Sequence, residues 1–101
     1  MESYNKLVRD NIPEILDRKG VSYEKRIASL DEYKTELVKK LGEEVSEFSE
    51  AGDPEELADV MEVIEALKTL AEYSTVDSLR QEKKKKRGGF DKRIILKGQK
   101  D

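Results

Sequence analysis

From Leu30 onward, apolar residues return at every third or fourth position: Leu30, Tyr33, Leu37, Leu41, Val45 and Phe48. That is the period of an amphipathic helix with one face turned to a core. "SLDE" at Ser29 to Glu32 sets its start, because a Ser hydroxyl and a Glu carboxylate three residues on can reciprocally cap free backbone N–H groups. Gly52 marks its end. A second start signal follows at once in "DPEE", Asp53 to Glu56, with Asp as N-cap, proline at the first helical position and Glu placed to close the box. Leu57, Val60, Met61, Val63, Ile64, Leu67 and Leu70 then cover a wide apolar arc, so the spacing predicts a second long helix to about Tyr73. With a residue or two between them, these helices must fold back as an antiparallel hairpin.

The flanks are shorter. "RDNIPEILDRKG" offers Asp10 or Asn11 as an N-cap, Pro13 in the first turn and Gly20 as a stop, which predicts a helix of about two turns. A further helix is expected over about Val76 to Arg87, ending at Gly88 and Gly89. "VSYEKRIAS" and "FDKRIILK" are partly β-branched and predict a short two-stranded β element from the segments near 22–28 and 91–97. The expected fold is therefore mainly α: one domain over residues 1–101, an antiparallel helical bundle with that small β addition.

Four acids interrupt the apolar faces. Each helical residue advances about 100° around the axis. Relative to Leu37, the residues Leu41, Val45 and Phe48 lie within roughly 80° on one side, Glu44 about 20° on the other, and Glu47 on that same other side at roughly 80° from Leu37, at the border of the stripe. On the second helix Glu56 and Asp59 project into the apolar arc, whereas Glu55, Glu62 and Glu65 point away. Across a tight hairpin these four could converge. Carboxylates taken from water together are strongly unfavourable unless they are protonated, paired with Lys or Arg, or coordinated to a divalent cation. Lys39, Lys40 and Lys68 are the only basic candidates on these faces of the two helices, and none recurs with the acids. A hard, oxygen-seeking cation such as Mg²⁺, with Mn²⁺ as a substitute, fits best. The bland alternative is a set of acids lining a solvated groove or helix edge in a highly charged protein.

Composition narrows the chemistry further. The chain has neither histidine nor cysteine, which removes Ser-His-Asp and Cys-His arrangements, thiolate or imidazole zinc sites and disulfides. Its 20 basic and 23 acidic side chains leave a net charge of -3, against a protein that coats nucleic acid. Without an apolar run long enough for a bilayer, or a signal-like start, a soluble cytoplasmic protein with no membrane partner is expected.

These residues carry a resemblance. "EEVSE" at Glu43 to Glu47 followed by "EELAD" at Glu55 to Asp59 resembles the paired acidic signature of the all-α nucleoside triphosphate pyrophosphohydrolases, the MazG-like and phosphoribosyl-ATP pyrophosphohydrolase-like proteins. "YNKLVRDNIPEIL", "EELADVMEVIEAL" and "KKRGGFDKRIIL" resemble the small house-cleaning branch of that superfamily and extend the likeness over nearly the whole chain. Only eight residues separate Glu47 from Glu56, fewer than in many members, where a longer loop builds part of the substrate pocket.

The resemblance implies Mg²⁺-dependent hydrolysis of a nucleoside triphosphate between the α and β phosphates, with non-canonical nucleotides as targets. It implies Glu44, Glu47, Glu56 and Asp59 as metal ligands. Glu44 and Glu47 would be catalytic, with Glu43 as a helper for the attacking water. Lys6, Arg9 and Arg87 are candidates for substrate phosphates, since guanidinium matches phosphate oxygens with paired donors. The plainer expectation for Arg9 and Asp10 is a structural contact that fixes the N-terminal segment, and for Lys83 to Lys86 a solvated helix end that suits the helix dipole. The modest core of so short a chain and the breadth of the second apolar arc predict a homodimer or larger homo-oligomer. The rival function is a helical dimerisation or interaction module without catalysis.

Overall fold

A computed structural model describes residues 5–99 of the chain. Tyr4, the first residue of the N-terminal motif, and the last two residues lie outside that range. The chain is mainly α, with helices α1 (Ile12–Arg18), α2 (Leu30–Ala51), α3 (Pro54–Lys68) and α4 (Val76–Arg87).

Local signals account for most of the boundaries. Ser29 Oγ accepts from the Glu32 N–H at 3.2 Å and opens α2. Asp53 Oδ1 accepts from the Glu56 N–H at 2.9 Å and opens α3. Each expected capping box is half formed, because the glutamate carboxylates go elsewhere: Glu32 takes a two-pronged contact from Arg26, at 2.5 and 2.6 Å. Between the long helices stand only Gly52 and Asp53. Gly52 sits at φ +66°, and its N–H bonds the Phe48 carbonyl at 2.7 Å, a left-handed C-cap that reverses the chain within two residues.

Leu37, Val63 and Leu70 form the centre of the core, with Leu7, Tyr33, Leu41, Ala66, Leu67 and Tyr73 packed around it. Leu37, 3% exposed, is the most buried of them. The expected α2 stripe is buried only in its middle, since Leu30 and Val45 are exposed. Nor does α3 run to Tyr73. It stops at Lys68, where the Thr69 hydroxyl donates to the Ala66 carbonyl, and a 3₁₀ turn over Ala71–Tyr73 follows. That turn is tied to α2 by Lys34, which reaches Glu72 at 2.6 Å and lies over the Tyr73 ring. Lys68 bridges Glu65 and Asp77 and so links α3 to the start of α4.

The expected β element does not form among the described residues. Ile27, Ile94, Ile95 and Leu96 are all exposed, so neither segment has an apolar face to pack on, and a lone two-stranded ribbon is marginal in water. Helix α4 has no buried residue. The radius of gyration is 18.1 Å, against about 13 Å for a compact domain of this length.

Candidate metal centre

Glu44 follows Leu37 by two helical turns and shares its face, so the packing that buries the leucine also buries the acid. Glu44 is 8% exposed. Glu56 and Asp59 occupy the first turns of α3, directly after the tight reversal at Gly52 and Asp53. The hairpin therefore faces them toward Glu44, and carboxylate oxygens of Glu44, Glu56 and Asp59 lie within 4.8 Å of one another.

The three acids differ in how their charge is met. Lys40, one turn before Glu44, holds Nζ 3.5 Å from Glu44 Oε1 and 3.7 Å from Glu43 Oε2. Arg9 donates from Nη2 to Asp59 Oδ1 at 2.6 Å. Glu44 Oε2 and Glu56 Oε2 are buried and have no hydrogen-bond partner among the described residues. Burial pushes the Glu44 pKa above the ordinary glutamate value, helped by the nearby charge of Glu47 and opposed by Lys40. Burial also raises Glu56, together with the charges of Glu47, Asp53, Asp59 and Glu44. A formal count of Glu44, Glu47, Glu56 and Asp59 against Lys40 and Arg9 leaves two unbalanced negative charges.

The other expected residues are placed as follows. Glu47 is exposed and stands outside the tight trio, yet its charge acts on both Glu44 and Glu56. Glu43 faces solvent and engages Lys40. Lys6 is exposed near the start of the described chain. Arg87 ends α4 and makes no ion pair with the acids among the described residues. Lys40, set aside in the sequence, belongs to the site. Its position four residues before Glu44 was the signal for that.

A groove of about 430 Å³ runs from Glu44 and Asp59 between the N-terminal segment and the hairpin. Leu37, Val63 and Ala66 contribute an apolar floor, while Arg9, Lys40 and Asn11 contribute polar groups. Asp10, Glu44, Asp59 and Glu62 line the same groove, Glu62 against the expectation that it points away, so carboxylates, cations and apolar surface share one opening.

The donor set suits a small hard cation. Oxygens around octahedral Mg²⁺, about 2.1 Å from the ion, stand about 3 Å apart when adjacent and about 4.2 Å when opposite. A trio spread over no more than 4.8 Å needs only small side-chain rotations to reach that span. The two orphaned Oε2 atoms are the kind of buried acceptors that such an ion satisfies. Comparison with protein-family models, curated proteins and solved structures finds no match.

Proposed function

We propose that the protein is a Mg²⁺-dependent nucleoside triphosphate pyrophosphohydrolase of the MazG-like type, releasing a nucleoside monophosphate and pyrophosphate, with non-canonical nucleotides as its targets. The observation that carries this reading is the buried, unpartnered Glu44 Oε2 beside Glu56 and Asp59, in a cluster that with the neighbouring Glu47 is two positive charges short of balance. Glu44, Glu56 and Asp59 would hold the ion, with Glu47 completing the set from the solvent side.

When bound, the ion supplies neutralisation of charge on the phosphate oxygens and lowers the pKa of water at the site. The chain's own residues do the rest. Glu47, exposed beside the trio, would take the proton of a water attacking the α phosphorus, with pyrophosphate as the leaving group. Lys40 and Arg9 are within reach of phosphate oxygens entering the groove, and its apolar floor offers surface for the base and sugar.

The working form on this reading is a homodimer or larger. Leu57, Met61 and Ile64 are exposed on α3, Val38 and Val45 on α2, and the isolated chain is far from compact. A second hairpin laid on this surface would complete a helical bundle. The same surface also favours the rival reading, an interaction module in which the acids are peripheral.

A screen of nucleoside triphosphates with Mg²⁺, scored separately for pyrophosphate and orthophosphate, decides between the two. Pyrophosphate release that stops on chelation supports the enzyme. No turnover of any nucleotide, with no change in melting temperature on adding Mg²⁺ or Mn²⁺, leaves the interaction module.

A further inference from the structure

Asp59 differs from its two neighbours in the trio because its cation sits in a short, hydrogen-bonded contact, whereas Lys40 stands 3.5 Å from one oxygen of Glu44. The Arg9 guanidinium stands 2.6 Å from Asp59 Oδ1, while Glu44 and Glu56 each keep a buried oxygen without a partner. Arg9 comes from the non-helical segment before α1, and its side chain is 58% exposed. Rotation of a long, solvated side chain is enough to carry the guanidinium away, without moving the hairpin.

We infer that Arg9 is a built-in competitor for the cation site, occupying Asp59 until a polyphosphate draws it off, so that the site takes metal and nucleotide together as one complex. This rests on the metal reading above. The groove that Arg9 lines is where phosphate oxygens would arrive, and a guanidinium meets phosphate with paired, charge-assisted donors. Its departure leaves the Asp59 carboxylate without a counter-charge as the anion enters. Metal affinity then rises because nucleotide is bound, and by thermodynamic reciprocity nucleotide affinity rises by the same factor when metal is bound. With Arg9 on Asp59, free divalent cation alone is a poor ligand. A metal–triphosphate complex, which carries its own anion for Arg9, is the proper one.

Calorimetric titration with Mn²⁺ tests this on the intact protein and on Arg9→Gln, with and without an α,β-methylene nucleoside triphosphate that cannot be cleaved. An exposed ion pair of this kind contributes up to about 1 kcal/mol, so Arg9→Gln is expected to bind bare Mn²⁺ up to about fivefold more tightly than the unaltered protein. The nucleotide analogue should tighten Mn²⁺ binding clearly in the unaltered protein and much less in Arg9→Gln. Arg9→Lys, which keeps the charge without the fork, should leave bare Mn²⁺ binding near its normal strength while weakening the nucleotide effect. Equal or weaker bare Mn²⁺ binding by Arg9→Gln overturns the competitor role and leaves the metal site standing. Absence of Mn²⁺ binding in every variant removes the metal reading and this inference together.

Discussion

Leu37 and Glu44, two turns apart on one face of α2, are the two buried residues of that helix, one wholly apolar and the other ionisable. The hairpin thus places an acid at the depth of its core. Lys40 stands 3.5 Å from one oxygen of Glu44, and the other has no partner. That pairing of core and charge underlies the first two predictions.

Neutralising the acid should separate stability from activity. Glu44→Gln is expected to raise the melting temperature of the metal-free protein, because it relieves crowding with Glu47, Glu56 and Asp59. The stabilisation added by Mg²⁺ should shrink, and pyrophosphate release should fall by at least about a hundredfold, more than the loss of an outer-shell partner costs. Asp59→Ala should likewise abolish release in a protein that remains folded. Circular dichroism melts and a pyrophosphate assay check this, and turnover at the normal rate in either variant would place the site elsewhere.

The same acids set a pH dependence whose sign can be worked out. Glu44 and Glu56 bind protons more readily folded than unfolded, so the folded state holds more protons between the ordinary glutamate value, about 4.3, and the raised values. Metal-free stability from these groups should therefore rise as pH falls from neutral toward that ordinary value. Glu32 acts in the opposite sense. Arg26 lowers its pKa, so its contribution is present above the ordinary value and is lost as pH drops below it. Denaturant melts across pH should show a maximum on the acid side of neutrality without metal, moving toward neutral pH with Mg²⁺. A curve unchanged by Glu44→Gln would contradict this account.

Gly52 is expected to matter through its backbone alone. A Cβ added there meets nothing within 4 Å, yet φ is +66°. Gly52→Ala should cost about 1 kcal/mol, the steric penalty of a left-handed residue, without creating a clash. Urea unfolding measures it, and because Glu56 and Asp59 begin right after this turn, metal affinity should weaken in parallel.

The exposed face of α3 should hold copies together. Met61 is 58% exposed between Leu57 and Ile64, one turn before and nearly one turn after it on the helix. Sedimentation of the unaltered chain should give a dimer or larger species, and Met61→Asp should shift it toward monomer. A monomer at all concentrations would show that this surface serves something else.

The helices and most of their ends were readable from the chain because their causes are local; the exception is α3, expected to reach about Tyr73 but ended at Lys68. The apolar period, Ser29, Asp53 and the glycines at 20, 52 and 88 act over a few residues, and α4 spans the expected Val76–Arg87. Convergence of Glu44, Glu56 and Asp59 was readable too, since a two-residue connection leaves the facing sides of α2 and α3 little choice. The strands near 22–28 and 91–97 were misjudged because β-branched composition says nothing about whether a packing surface exists. Glu47 fell outside the trio because a border position on the wheel is resolved only by the tilt and separation of the helices.

What the sequence alone determined is the pair of amphipathic helices, their abrupt reversal at Gly52 and the inward set of Glu44, Glu56 and Asp59. These follow from backbone sterics, capping and helical period, all short-range. What only the tertiary structure decided is which cation meets which acid. Arg9 reaches Asp59 across 50 residues of chain, Lys40 goes to one oxygen of Glu44, and two buried oxygens are left over. The Lys40 contact follows from i,i+4 spacing on one helix, but the Arg9–Asp59 pair depends on a distance of a few ångströms between elements remote in sequence, which no local pattern encodes.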